Sequence, residues 1–302
     1  MNLEKLLTEA RNPDTLDIDN RSSLEIVELI NQEDQKVAVA IQRILPDIAK
    51  AVDCIVTAIQ AGGRLFYLGA GTSGRIGILD ASECPPTYGT HPELVQGLIA
   101  GGAQAIFRAV EGAEDSDTLA VEDLKSKQLN ESDIIVGIAA SGRTPYVIGG
   151  LRYAKSIGCR TVSLTCSPDS EMSKLADHSL TVLTGPEVIM GSTRMKAGTA
   201  QKMVLNMLTT ATMIGLGKVY SNLMVDVQTT NVKLKERAKR IVALAAGVSP
   251  SQAEEALNAA SGSAKLAIVM IMSGASAEEA SRLLQAAHGF ISKALALHSK
   301  TK

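Results

Sequence analysis

Two periodicities divide the chain. Residues 1 to about 60 carry apolar positions at helical spacing. "RSSLEIVELINQED" sets Ser22 three residues before Glu25, a capping box that opens an amphipathic helix. "ILPDIAKAVDCIVTAIQAGG" keeps the helical period until Gly62 and Gly63 stop it. From Arg64 the pattern changes to short, nearly continuous apolar runs: "RLFYLGA", "LVQGLIAGG", "DIIVGIAAS", "RTVSLTC" and "SLTVLTG". Helical stretches separate most of them: "SGRIGILDASE", "EDSDTLAVEDLKSKQ", "TPYVIGGLRYAKSIG" and "SEMSKLAD". Apolar strands alternating with helices predict an α/β fold, a parallel sheet covered by helices on both faces. Such a sheet holds its ligand at the carboxyl ends of its strands.

After "GSTRMKAGTAQKMVLNMLTTATMIGLG" the pattern is wholly helical. Ser249 with Gln252 forms another capping box, and Ser276 with Glu279 repeats it. Short Ala-rich helices predict a compact three-helix module at the C-terminus, whose apolar stripes read as packing or assembly surface. The expected division is 1–54, a helical N-terminal segment; 55–218, the sheet domain; and 219–302, the helical module.

Candidate chemistry gathers at two strand-to-helix turns. "LFYLGAGTSGR" contains Gly69-x-Gly71-x-x-Gly74, the spacing of a dinucleotide fingerprint. That reading also requires an acid about 20 residues on, at the end of the next strand, to hold a ribose hydroxyl. The next strand ends "LIAGG", with no acid. A second turn, "IIVGIAASGRT", repeats the chemistry of the first: an apolar strand, small residues, then Ser-Gly-Arg. A single phosphate fits both. Glycines let the backbone approach, helix N-termini supply N–H groups, and hydroxyls complete the shell. Gly71, Thr72 and Ser73 in one turn, with Ser141, Gly142 and Thr144 in the other, are the candidate ligands. The alternative is that Ser73, Ser141 and Thr144 cap their own helices.

Composition narrows the classes of partner. A net charge of −2 and no Trp argue against nucleic acid or an anionic membrane. No apolar run approaches the ~20 residues of a membrane span, and the N-terminus "MNLEKLLTEARNPD" lacks the apolar core of a signal peptide. Cys54, Cys84, Cys159 and Cys166 are scattered, without a C-x-x-C or a disulfide framework, as in a reduced cytoplasmic protein. His91, His178, His288 and His298 show no zinc-ligand pattern, so no metal site is expected.

The two turns resemble the signature turns of the sugar isomerase (SIS) fold, which binds phosphosugars. That fold often has a serine two positions before the second Ser-Gly pair, where this chain has Ala139. Longer strings narrow the resemblance. "TEARNPDTLDID", "GAGTSGRIGILDASECPPT", "VEGAEDS", "GIAASGRTPYV", "GPEVIMGSTRMKAGTAQKMVLNMLTT" and "NLMVDVQTTN" together are similar to the N-acetylmuramic acid 6-phosphate etherase family, from about Leu7 to Asn231. The C-terminal tail carries no diagnostic motif.

The resemblance implies a cofactor-free lyase that removes D-lactate from C3 of N-acetylmuramic acid 6-phosphate in cytoplasmic amino-sugar recovery. It implies Glu83 as proton donor and Glu114 as the second acid/base residue. It places Glu187, Ser192, Thr193 and Lys196 near the sugar ring, and it implies a homodimer with the site near the subunit interface. Glu114 is expected in the first turn of the next helix, and Glu83 partly desolvated beside Pro85 and Pro86. One difficulty follows. In an unbroken helix, ten residues separate Ser73 from Glu83 by ~15 Å, more than a hexose phosphate spans. Either the helix breaks before Glu83, or Glu83 serves a neighbouring subunit. Two alternatives stay open: a sugar-phosphate-binding regulator, as in the related glucokinase regulatory protein, and an aldose–ketose isomerase.

Overall fold

The structure is a computed structural model that describes residues 9–227 and 232–301. Thr8 of "TEARNPD" and Gln228 to Asn231 of "NLMVDVQTTN" lie outside the described residues, as does most of the N-terminal stretch free of a signal-peptide core. Five strands form one sheet: β1 (Leu65–Gly69), β2 (Val95–Ile99), β3 (Ile134–Ile138), β4 (Arg160–Thr165) and β5 (His178–Thr181). All pairings are parallel, in the order β2-β1-β3-β4-β5. The expected strands are therefore all present. Central β1 and β3 are buried along their whole length, which is why they read as unbroken apolar runs rather than alternating ones.

The chain divides into two compact units. The first comprises Met1–Ser82 and Glu93–Thr209, so the N-terminal helices α1 (Ser23–Gln42) and α2 (Leu45–Gln60) lie in the same unit as the sheet. It also holds α4 (Gln104–Phe107), α5 (Leu119–Ser126), α6 (Pro145–Ser156), α7 (Glu171–Leu175) and most of α8 (Lys196–Gly215). The Ser22–Glu25 capping box forms. On one face of the sheet, Phe66, Leu68 and Ile135 pack with Leu124 of α5 and Tyr146, Val147 and Leu151 of α6.

The second unit comprises Glu83–Pro92 and Thr210–Lys302. It contains a short antiparallel hairpin, Val219–Tyr220 with Leu223–Met224. Its described residues form five further helices, not the expected three: α9 (Val232–Ala246), α10 (Pro250–Ala259), α11 (Ala264–Ser273), α12 (Ala277–Ala286) and α13 (Ile291–Thr301). The reason lies in α11. It packs against α9, α10, α12 and α13, so "AKLAIVMIMS" is apolar nearly all round and shows no amphipathic stripe. Alanines at 238, 253, 267, 280 and 294 are fully buried and let these short helices approach closely.

Helix α3 (Gly71–Tyr88) runs from the first glycine turn through Pro85 and Pro86. Two consecutive prolines cannot donate to the carbonyls of Ala81 and Ser82 four residues back. The two units divide at that point, between Ser82 and Glu83. Among the described residues, no single helix is long and apolar enough to cross a membrane; α10 and α11 pass such a test only together, and they bend by 111°.

Candidate active site

The order β2-β1-β3-β4-β5 reverses direction at β1. The chain moves from β1 to β2 on one side, then returns to β3 on the other. In a sheet of this topology the ligand crevice opens at that switch point, outside the carboxyl ends of the two strands. Gly69 and Ile138, the last residues of β1 and β3, are partners in register. The two Ser-Gly turns therefore leave adjacent strand ends at one level, about 4.8 Å apart.

In the first turn, α3 starts at Gly71, so the N–H groups of its first turn have no intrahelical acceptor. Thr72 is half-buried and Ser73 is buried. Ser73 does not cap the helix; its Oγ donates to Gln201 Oε1 of α8 at 2.9 Å. Farther along, Asp80 accepts from Tyr67 Oη (2.9 Å), Asn206 Nδ2 (2.6 Å) and Thr209 Oγ1 (3.2 Å), which aligns α3 with α8 and β1. Burial raises the Asp80 carboxyl pKa above its ordinary value despite these donors.

In the second turn, Ser141 Oγ accepts from the N–H of Arg143 at 3.3 Å. Thr144 occupies the N-cap position of α6, yet its hydroxyl makes no capping bond. The capping alternative thus fails for Ser73 and Thr144 and reduces to a local turn for Ser141. Gly142 has φ +64°, and a methyl group there would lie 2.4 Å from Ser170 Oγ. The turn is pinned from β4 as well: Cys166 N–H donates to Ala140 O at 2.9 Å, and Ser167 Oγ to the same oxygen at 3.2 Å.

The segment 187–197 delivers a third group of candidates. Glu187 is fully buried, and its two oxygens accept from the N–H groups of Lys196 and Ala197 at 2.9 Å each. Burial raises its pKa, and the two N–H donors offset this only in part. Lys196 is also buried, with Nζ 2.5 Å from Glu33 Oε2 of α1; Lys36 holds the other Glu33 oxygen. Glu187 and Lys196 are thus committed inside the protein, while Arg194 is exposed. Ser192 and Thr193 are half-buried. A methyl group on Gly198 would lie 3.4 Å from Thr72 Cγ2 and 3.5 Å from Thr193 O, so the start of α8 brings Thr193 beside the first turn.

Glu114 sits in a short 3-10 turn, Ala113–Asp115, and is exposed. It is not in the first turn of α5, which starts at Leu119, because the chain first crosses the face of α6. Gly149 of α6 permits that crossing; a methyl group there would overlap Asp117 O at 1.8 Å. The loop follows β2, and α6 starts at the second turn, so Glu114 belongs to the same end of the sheet. Glu83, in contrast, is exposed on an α3 that does not break before it, and Pro85 and Pro86 do not bury it. The break expected as one way out of the distance problem is absent.

Sequence reasoning missed Gln201, Ser170 and Glu33. Gln201 and Glu33 are buried polar residues on otherwise amphipathic helices, the one signal available for them. Among the described residues, no three His, Cys, Asp or Glu side chains form a group that could hold a metal ion.

Residues 47–155 match the glucokinase regulatory protein N-terminal SIS domain, and residues 118–211 match the SIS domain. The chain is 60% identical to N-acetylmuramic acid 6-phosphate etherase of Clostridium beijerinckii, over 98% of this chain and 97% of that one. It is 59% identical to the protein of that name from Clostridioides difficile, over 97% and 96%. With that from Photorhabdus laumondii it shares 56%, over 96% and 97%. Among solved structures, a ligand-bound protein of E. coli CFT073 superposes with a TM-score of 0.50 at 17% identity, covering 67% of this chain and 97% of that one. A candidate phosphosugar isomerase of Bacteroides fragilis gives 0.51 at 22% identity, covering 67% and 95%. These two share the fold.

Proposed function

We infer the activity from a plain premise: the chain belongs to the N-acetylmuramic acid 6-phosphate etherase family. It is an enzyme that converts N-acetylmuramic acid 6-phosphate to N-acetylglucosamine 6-phosphate and D-lactate, a step in recovering cell-wall amino sugars. The observation that carries this reading is the pair of hydroxyl-bearing turns on adjacent strand ends at the switch point. We assign the 6-phosphate to Gly71, Thr72 and Ser73 with Ser141, Gly142 and Thr144, under the N-termini of α3 and α6.

The chemistry proposed needs two carboxyl groups. In the open-chain sugar the aldehyde acidifies the C2 hydrogen, and the C3 ether oxygen lies β to it. Glu114 takes the C2 proton as Glu83 protonates the departing lactyl oxygen, leaving a C2=C3 double bond and free D-lactate. Water then adds, its hydroxyl to C3 and a proton to C2. The substrate's own carbonyl supplies the activation, so neither metal nor nucleotide is called for.

Glu83 reaches the sugar, in this reading, from a partner subunit. The uninterrupted α3 supports that choice, since it carries Glu83 ~15 Å from the phosphate turn of its own chain. The protein acts as a homodimer in the cytoplasm. Lys196 and Glu187 serve by fixing the Ser192–Thr193 backbone beside Thr72 rather than by touching phosphate, because their charged groups are already paired. The test is direct: purified protein and N-acetylmuramic acid 6-phosphate, without added nucleotide and with a chelator present, yield equal amounts of D-lactate and N-acetylglucosamine 6-phosphate. No lactate would sink the reading.

A further inference from the structure

Ser73 has one hydrogen to give, and in this structure it gives it to Gln201 Oε1 at 2.9 Å. Gln201 is 1% exposed, and its Nε2 has no hydrogen-bond partner. A buried amide with two idle donors is costly, and Ser73 is left without a donor for a ligand. Rotating the amide by half a turn frees the serine and leaves one idle N–H instead of two, with Oε1 taking the unpartnered place. Nε2 then donates to Ser73 Oγ, and the serine hydrogen is free, provided that a new acceptor stands on its far side. An anionic oxygen cradled at the start of α3 is such an acceptor.

We propose that Gln201 is a positioning residue for the phosphosugar: its amide turns over on binding and hands the Ser73 hydroxyl to the 6-phosphate. The inference rests on the assignment of the phosphate to the Ser73 turn. Place in the fold supports it. Gln201 is one helical turn beyond Ala197, whose N–H is held by Glu187, and Gly198 packs against Thr72. The α8 backbone is therefore fixed, and the side-chain amide is the part free to respond. With the amide turned, Ser73 has a hydrogen bond at both ends, accepting from Nε2 and donating to the phosphate. Gln201 discriminates in favour of a phosphorylated sugar without contacting it.

The experiment is a double-mutant cycle on the whole protein, with calorimetric Kd for N-acetylglucosamine 6-phosphate and for unphosphorylated N-acetylglucosamine. Gln201→Met keeps the volume and removes both polar atoms. It is expected to weaken binding of the phosphorylated sugar about tenfold, the worth of one hydrogen bond in a charged network, with the loss falling on KM more than on kcat. Binding of the unphosphorylated sugar is unchanged. Ser73→Ala weakens the phosphorylated sugar at least as much, and the double variant no further than Ser73→Ala alone. If Ser73→Ala binds as wild type, the phosphate assignment itself is wrong. If Ser73→Ala loses affinity while Gln201→Met keeps it, or the two losses add, only the Gln201 inference falls. A lower Tm with unchanged Kd in Gln201→Met assigns it a structural role and overturns the proposal. Should Gln201→Met not fold, Gln201→Glu, which can only accept, is expected to hold the serine hydrogen and weaken the phosphorylated sugar; wild-type affinity there also overturns it.

Discussion

Lys196 and Glu33 form an ion pair inside the first unit, Nζ to Oε2 at 2.5 Å, with side chains 1% and 4% exposed. A buried pair contributes little over an apolar packing of the same volume, but removing Lys196 leaves the buried Glu33 carboxylate with Lys36 alone. Lys196→Met is therefore expected to lower stability, by less than the about 3–5 kcal/mol of a wholly uncompensated buried charge because Lys36 remains, and Lys196→Met with Glu33→Leu to recover much of that loss. Urea unfolding followed by far-UV CD checks both. A Lys196→Met protein that unfolds like wild type but loses phosphosugar affinity would make Lys196 a ligand instead.

Glu33 and Glu187 respond to pH in opposite senses. Burial works against the Glu33 carboxylate, but hydrogen bonds from Lys196 and Lys36 outweigh it and hold its pKa below the ordinary 4.5. Stabilisation from a depressed carboxyl is complete above its unfolded value and is lost as pH falls through the native one. Burial leaves the Glu187 pKa raised above 4.5, so its contribution is complete below that value and declines as pH rises through the native one. The gap in urea midpoint between wild type and Glu33→Gln should narrow as pH drops below 4.5. The gap between wild type and Glu187→Gln should narrow as pH climbs above 4.5.

Thr144 separates capping from binding. A threonine that caps a helix typically costs ~1 kcal/mol when replaced by alanine. Thr144 makes no capping bond, so Thr144→Ala is expected to leave Tm nearly unchanged while raising Kd for the phosphorylated sugar. Gly142→Ala should fail on both counts, since its left-handed backbone and the Ser170 contact at 2.4 Å leave no room for a methyl group.

Glu83→Ala and Glu114→Ala should each slow lactate release by about 10²–10⁴-fold, with Tm unchanged because both residues are exposed. Mixing the two inactive proteins under conditions of subunit exchange tests the origin of Glu83. If each site takes Glu83 from the partner, half of the dimers are mixed and each has one intact site, restoring about a quarter of wild-type activity. Sites built within one chain would restore none.

Much of this is legible in the sequence for physical reasons. The five strands announce themselves because a parallel sheet covered on both faces makes its strands continuously apolar. The Ser-Gly turns stand out because close backbone approach to a phosphate restricts residue choice. Helix α11 is not legible, since a helix buried on all sides loses its stripe. Glu114 reads as helical because "EDSDTLAVEDLKSKQ" is strongly helical in composition; only the approach of its backbone to Gly149 explains the delayed start of α5. The burial of Lys196 is equally hidden, because its partner Glu33 lies 163 residues away.

The most direct test of the central claim is the reaction run in ¹⁸O-labelled heavy water with N-acetylmuramic acid 6-phosphate. Elimination followed by hydration predicts deuterium at C2 and ¹⁸O at C3 of the N-acetylglucosamine 6-phosphate formed, with unlabelled ether oxygen leaving in D-lactate. A product that keeps its original C3 oxygen and C2 hydrogen would contradict the account.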